Sequence, residues 1–225
     1  FYDWKIQNQK AGIDEFKLKL EKFNKAGALF DIVKLEDICK DYISSLCADE
    51  VYERSLDWAK RCDERTAKLL EENKEYCINI FNIERSGNKI RKDIVKFEDS
   101  KEQLRIFFDE LFDEEDYEDI SNRVERGLQK EIVRKYMDIY NPDDDSVVWF
   151  DNVKRLADEL GFCSDRKEYE SNREKYKGTV GDVAMVLRVA ITKKTQSPDL
   201  YQVMSVLGKE KVIQRLERYS KESLE

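Results

Sequence analysis

The side chains best suited to making and breaking bonds are either missing from this chain or badly spaced for it. Its 225 residues contain no histidine, which removes the commonest general base, the usual metal ligand and any Ser-His or Cys-His nucleophile pair. The five cysteines, Cys39, Cys47, Cys62, Cys77 and Cys163, are odd in number and never spaced as Cys-x-x-Cys. Neither a disulfide framework nor a zinc site is expected from them, and they read as reduced core thiols. Acid pairs such as Asp109/Asp113 and Asp143/Asp145 offer oxygen donors to Mg²⁺, but acidic runs at helix ends are usually solvated, and no metal site is expected.

Charge is distributed unevenly along the chain. The net charge is -8, a sign that repels phosphate at long range and argues against indiscriminate polyanion binding. Eight acids and no base lie between Asp109 and Asp119, and Asp143 to Asp145 form a second acidic cluster. From Arg166 to Lys194 the balance reverses, eight bases against four acids, a local +4. A second basic stretch holds Arg85, Lys89, Arg91, Lys92 and Lys96.

The elements that must position these groups read as helices throughout. The chain is 40% hydrophobic and 40% charged with 8 Gly and 2 Pro, a composition of packed amphipathic helices and poor in the turn residues of a sheet protein. Phe16, Leu20 and Phe23 recur at helical spacing, and after a break at Gly27 a second stripe runs through Ile32, Leu35, Cys39, Tyr42, Ile43 and Leu46. Asp49 is a candidate cap for a helix carrying Val51, Ser55, Trp58 and Ala59, and a further stripe spans Leu69 to Phe81. Ser86-Gly87-Asn88 marks a turn. Leu104, Phe107, Phe108, Leu111 and Phe112 form a dense helical face that ends in the acidic run, where a subdomain boundary near Glu114 is expected.

Beyond it, Val124 to Tyr140 carry one helix, ended by Asn141-Pro142, and Phe150 to Leu160 carry another, closed by Gly161. A basic linker from Cys163 to Gly178 leads to an imperfect capping box, Thr179-Val-Gly-Asp182. Ser197 is expected to cap a short helix with Pro198 at its first position and Gly208 at its C-terminal end, and Val212, Leu216 and Tyr219 carry the last helix. No apolar run approaches the roughly 20 residues needed to span a bilayer, and no secretory leader is visible, so a cytoplasmic protein is expected. The start at Phe1 and the terminal Leu224-Glu225, which has the look of a cloning scar, suggest a piece of a longer protein.

Three spaced motifs carry a family resemblance. Arg188-Val-Ala-Ile-Thr192, then Ser197-Pro198-Asp199-Leu200-Tyr201, then Leu207-Gly208-Lys209-Glu210 followed by Arg215-Leu216-Glu217 resemble the C-terminal signature of bacterial glutamyl-tRNA synthetases. Upstream, Gly27-Ala28-Leu29-Phe30-Asp31-Ile-Val-Lys34-Leu35 with Tyr42-Ile43 is similar to the family's Phe-Asp-x-x-Lys-Leu segment. The resemblance runs from about Phe23 to the end and is weak from about Asp113 to Lys177. Ser220-Lys221-Glu222-Ser223 superficially matches the class I lysine-serine loop, but no nucleotide-binding domain surrounds it and it reads as coincidence.

The resemblance implies an all-α fold, a helical cage of two consecutive anticodon-binding subdomains, residues 48–114 and 115–225, after residues 1–47 as the end of a stem-contact region. It implies that Arg188, Ser197, Pro198 and Leu200 form a pocket around an unstacked anticodon base, with Ser197 keeping the hydroxyl of the family's frequent Thr. An arginine of the first basic stretch is implied to read another base, and Arg91 is the choice. Lys193 and Lys194, beside that corner, are placed for phosphates, which position RNA without reading its sequence. The implied partner is tRNA(Glu), with tRNA(Gln) left open. No DNA or membrane partner is expected, and the chain is expected to be a monomer. ATP, Mg and glutamate would belong to the parent ligase's catalytic domain, and this fragment would hold no cofactor and carry no chemistry itself. The related glutaminyl enzymes are known for β-barrel anticodon domains, which the helical pattern after Asp49 does not fit. The rival reading is a helical protein-interaction module, favoured by the net negative charge. A basic groove at Arg188 and Ser197 would support the first reading, and an exposed apolar patch elsewhere the second.

Overall fold

In the computed structural model residues 2–17, 19, 21, 31–87 and 90–221 are described, apart from the side chains of residues 2, 3 and 13. Leu20, Phe23, the Gly27–Phe30 segment, Asn88, Lys89 and the tail from Glu222 lie outside the described residues. The helices are α1 (Tyr2–Gln7), α2 (Ile32–Ser45), α3 (Ala48–Cys62), α4 (Glu64–Glu72), α5 (Lys74–Phe81), α6 (Ser100–Arg105), α7 (Asp109–Phe112), α8 (Arg126–Ile139), α9 (Ser146–Glu159), α10 (Arg166–Ser171), α11 (Val180–Thr192), α12 (Leu200–Leu207) and α13 (Lys209–Lys221). No strand occurs among the described residues, where an isolated bridge joins Cys163 to Thr179. The chain is all-α, as its composition requires.

Two compact units are formed, residues 1–36 and 37–225. In the first, Trp4 and Phe16 meet edge to face at 5.2 Å. In the second, α3 packs on α4 and α5, α5 on α6, and α6 on α7, while α8 packs on α9, α11 and α13. Contact between α5 and α12 ties the two groups together. The core is continuous, from Val51, Leu70 and Phe81 through Leu104 and Phe107 to Ile132, Val186, Leu187 and Leu216.

Several starts and stops follow local chemistry. Asp145 accepts from Val147 N and Val148 N at 2.9 Å and opens α9, and Asp165 does the same for α10. The Asp182 carboxylate accepts from Thr179 N at 2.8 Å, one half of the expected capping box. Gly161 (φ 83°) and Gly208 (φ 79°) take the left-handed conformations needed just after α9 and α12.

Four boundaries differ from expectation. Helix α3 begins one residue after Cys47, whose N–H donates to Glu50 at 2.9 Å, so Asp49 sits inside the first turn. The dense face from Leu104 to Phe112 is broken into α6 and α7, because Phe108 is extended and Asp109 and Glu110 open a new helix with acids at its positive end. The basic linker contains a helix of its own, α10. Asp199, not Ser197, caps α12: it accepts from Gln202 N at 2.9 Å, and Ser197 and Pro198 precede the helix.

The acidic run from Asp109 to Asp119 stays largely exposed and forms a seam of ion pairs. Asp109 lies 3.3 Å from Lys211 and 3.4 Å from Arg215, Asp113 pairs with Arg218, Glu114 with Arg65 at 2.6 Å, and Glu115 with Arg105 and with Lys194 at 2.7 Å. The run therefore neutralises cations from α4, α6, α13 and the segment after α11.

Candidate nucleic-acid interface

Helix α11 ends in a left-handed cap at Lys193, whose N–H donates to Val189 O at 2.8 Å, and further hydrogen bonds build a corner around it. Thr192, 3% exposed, donates through Oγ1 to Arg188 O at 2.8 Å, and the same oxygen accepts from Lys194 N at 3.2 Å. Lys193 takes the left-handed conformation (φ 64°), which reverses the chain. Glu118 then binds the corner twice: its N–H donates to Lys193 O at 3.0 Å, and its carboxylate accepts from both N and Oγ1 of Thr195 at 2.6 Å.

Arg188, half-buried and one turn before that end, reaches forward across the corner. Its Nη1 donates to Ser197 O at 3.0 Å, to Pro198 O at 2.9 Å and to Ser197 Oγ. All of its bonds run through that one nitrogen. Nε and Nη2 meet no acceptor among the described residues, so one side of the guanidinium fork stays open. Burial lowers its pKa, Asp199 and Glu84 act the other way, and the charge of Arg91 lowers it further. It stays charged regardless, as arginine does in proteins.

Arg91 and the corner meet at one cavity of about 330 Å³. Ile106, Phe112 and Pro198 supply its apolar surface, Arg91, Arg105 and Lys194 its cations, Asp93, Asp99, Glu102 and Glu115 its acids, and Gln103, Gln196 and Ser197 further polar groups. Arg91 is held by Asp93 at 2.6 Å, and Gln103 Nε2 donates to the same carboxylate at 3.0 Å. Such a lining, an apolar wall with a few fixed hydrogen-bonding groups of both signs, suits a planar polar ring better than a bare phosphate.

The sequence-predicted residues divide into three groups. Arg91, Lys194, Ser197 and Pro198 line the cavity together. Arg188 does not line it, but stands one hydrogen bond away through Ser197 and Pro198. Leu200 and Lys193 lie elsewhere. Leu200, 2% exposed, is the first residue of α12 and points into the core, so the apolar wall expected of it comes from Pro198, Ile106 and Phe112. Lys193, also 2% exposed, lays its ammonium over Phe112 at 4.5 Å and Tyr117 at 5.1 Å and donates to Glu115 O at 2.5 Å, so it anchors the corner instead of facing a phosphate. The other described members of the first basic stretch are engaged away from the cavity: Arg85 with the carbonyls of Ile43 and Leu46, Lys92 with Asp41, and Lys96 with Glu98.

Sequence reasoning missed Glu84 and Glu115. Glu84, itself left-handed (φ 53°), accepts from Asp199 N at 2.8 Å and donates its own N–H to Gln202 at 3.0 Å, holding the start of α12 from the loop after α5. Its partners are 115 and 118 residues away, and no local pattern signals that. Glu115 had a signal, the opposite charge of its run and of the Arg166–Lys194 segment, but charge complementarity names no pair.

The carboxyls of Glu115 and Glu118 are held below their ordinary values, Glu115 first by the Lys194 hydrogen bond and Glu118 first by that of Thr195, with burial opposing both. A folded-state pKa below the unfolded one stabilises the fold above the unfolded value, about 4.3 for Glu, and the gain is lost as pH falls through the folded value. Thermal melts of Glu115→Gln and of the parent chain from pH 3 to 8 are therefore expected to differ at pH 7 and to draw together as the pH falls below the unfolded value of about 4.3. A constant difference across that range would refute the linkage.

Comparison with known proteins bears on the same region. Residues 169–220, which include α11, the corner and α12, match the family described as anticodon binding domain. The chain is 41% identical over 222 residues to the glutamate–tRNA ligase of Clostridium beijerinckii, covering 97% of this chain and 40% of that protein. The glutamate–tRNA ligases of Acetivibrio thermocellus and Sorangium cellulosum are each 38% identical over 219 residues, 97% of this chain and 40% and 38% of theirs. The chain thus spans about two fifths of the length of the curated relatives it matches.

Proposed function

Because this chain is the anticodon-binding portion of a glutamate–tRNA ligase, matching about 40% of its relatives' length, we propose that it recognises the anticodon of tRNA(Glu). The observation that carries the reading is the single cavity shared by Arg91, Lys194, Ser197 and Pro198, residues from two distant stretches of sequence. An unstacked base enters against Pro198, Ile106 and Phe112, where the side chain of Arg91 donates to its polar edge, and the open side of Arg188, outside the cavity, takes the edge of an adjacent base. Lys194 takes a phosphate. Residues 48–114 and 115–225 act as two consecutive anticodon-binding subdomains, with residues 1–47 ending the stem-contact region. In the parent ligase, which would use ATP, Mg and glutamate in its catalytic region, this portion would contribute to rate by positioning the acceptor end of the tRNA.

A protein-docking role is favoured by one observation. Ile38 and Tyr42, 56% and 48% exposed, border an apolar groove of about 470 Å³ with Ile43, Trp58 and Phe97. The groove and the polar cavity share no lining residue, so docking there would not exclude RNA binding.

The test is binding of the 225-residue chain to a tRNA(Glu) transcript and to one with a changed anticodon, across a salt series. Preference for the native anticodon with a shallow salt slope is the expected result. Equal and steeply salt-dependent binding to both, or none, would reject anticodon reading, and a tRNA(Gln) transcript in the same series decides whether that anticodon is also accepted.

A further inference from the structure

The segment from Cys163 to Gly178 carries five of the eight bases of the locally positive stretch and takes no part in the cavity. Backbone bonds close it on itself at the start of α11: Cys163 N to Gly178 O, Val180 N to Cys163 O and Lys177 N to Gly161 O, each 2.9 Å. Inside this clasp Arg166 pairs with Glu170 at 3.1 Å, and Glu168 accepts from the Tyr176 hydroxyl. Lys167, Arg173, Lys175 and Lys177 remain exposed with no carboxylate within 4.0 Å among the described residues. Elsewhere many cations are matched, as in Lys60–Glu71, Arg65–Glu114 and Lys101–Asp63, although others such as Lys10, Lys17, Arg54 and Lys209 have no ion pair among the described residues either. Lys130, Arg134 and Lys135 of α8 are also unmatched and alternate with Glu131 and Asp138, as the clasp's cations do with Asp165, Glu168, Glu170 and Glu174, so unmatched charge alone does not set the clasp apart.

Two further features distinguish the clasp from a solvated charge run. Tyr169 and Tyr176, both half-buried, stand among its four open cations with ring centroids 6.5 Å apart. Alternating cations and ring faces is how proteins hold single-stranded RNA without reading it. The clasp is also fixed relative to the corner by one rigid element. Gly181, Ala184, Met185 and Arg188 follow each other at helical spacing on the face of α11 that Val183, Val186, Leu187 and Ala190 do not bury in the core. Over the length of that helix the rise is about 18 Å.

We propose that residues 163–178 form a second RNA contact, in which Lys167, Arg173, Lys175 and Lys177 hold phosphates of the strand whose base enters the cavity, and Tyr169 and Tyr176 offer ring faces to neighbouring bases. The proposal rests on the anticodon-binding reading. Helix α11 then acts as a spacer, with a sequence-independent grip at its start and base readout at its end.

The test measures fluorescence anisotropy of the full chain with the native and anticodon-changed transcripts over a salt series. In Lys167→Gln/Arg173→Gln/Lys175→Gln/Lys177→Gln, affinity for both RNAs is expected to fall together, by about tenfold or more near 0.15 M salt, with their ratio unchanged. The slope of log K against log salt should flatten by about 3, at about 0.7 per single-strand phosphate for the four cations removed. Tyr169→Ala/Tyr176→Ala should lose about fivefold or more with the slope kept. A quadruple variant that binds as the parent does, while the parent still discriminates between anticodons, overturns the second contact alone. No binding by the parent overturns both readings. Equal flattening in Lys130→Gln/Arg134→Gln/Lys135→Gln would show a diffuse field and also overturn the contact.

Discussion

Arg188→Ala is expected to bind the native and the changed-anticodon transcripts almost equally, a loss of discrimination of about tenfold to a hundredfold, since one well-aligned bidentate contact contributes about 1–3 kcal/mol of base selectivity. The reason is the division of labour within one side chain. Nη1 is committed to the carbonyls of Ser197 and Pro198, so the plane of the guanidinium is fixed before RNA arrives, and the open nitrogens present a preorganised pair of donors. Arg188→Lys keeps the charge but has no fork, so it should retain most of the nonspecific affinity and the salt slope while still losing most of the selectivity. If Arg188 only braced the corner, both variants would weaken the two RNAs in proportion and leave their ratio unchanged. That result would remove Arg188 from readout and leave the role to Arg91.

The largest stability effect is expected at Arg215. Its side chain is 5% exposed, donates to Ile191 O at 2.8 Å, lies 3.4 Å from Asp109 and stacks on Phe112 with the guanidinium carbon 3.8 Å from the ring centroid. Removing it strands a buried carbonyl at the end of α11, at about 1–3 kcal/mol, and opens space against Phe112. Arg215→Ala should therefore lose about 3 kcal/mol, or about 6–12 °C in melting temperature for a chain of this size. Arg215→Met restores packing but not the donor and should recover part of the loss. Asp109 is 54% exposed and keeps Lys211 at 3.3 Å, so it contributes little to the deficit. Urea melts of both variants test this, and a loss below about 1 kcal/mol for the alanine variant would mean that water satisfies Ile191 O. Because Phe112 also lines the cavity, Arg215→Ala should weaken RNA binding as well, even though Arg215 is not among the lining residues.

Helix type was legible because spacing is a local property. The stripes through Val124 to Tyr140 and Phe150 to Leu160 became α8 and α9, and Asn141-Pro142 and Gly161 ended them where their backbone preferences require. What competed locally was misjudged. Ser197 and Asp199 are both good caps two residues apart, and the choice fell to Asp199 because Arg188 and Pro198 O occupy the Ser197 hydroxyl. Of the candidate site, the Arg188 to Ser197 relation was implied by the family resemblance of their motifs, and α11 with the turn after it holds the two side chains in contact. The positions of Leu200 and Lys193 could not be read, since Leu200 is settled by how α12 packs and Lys193 by Glu115, 78 residues away. Glu84 and the ion-pair seam belong to the same class. Tertiary partners decided them, and periodicity carries no information about those.

Lys194 is already occupied in the free protein, by the same Glu115 that also holds Arg105. If Lys194 takes a phosphate as proposed, that phosphate does not fill an empty socket but displaces a tethered competitor. The net gain is the difference between two anions, so a polyanion that offers charge alone gains little, whereas an RNA that also places a base in the cavity can tip the exchange. On the proposed reading such an arrangement would set a threshold on entry, trading affinity for refusal of the wrong strand.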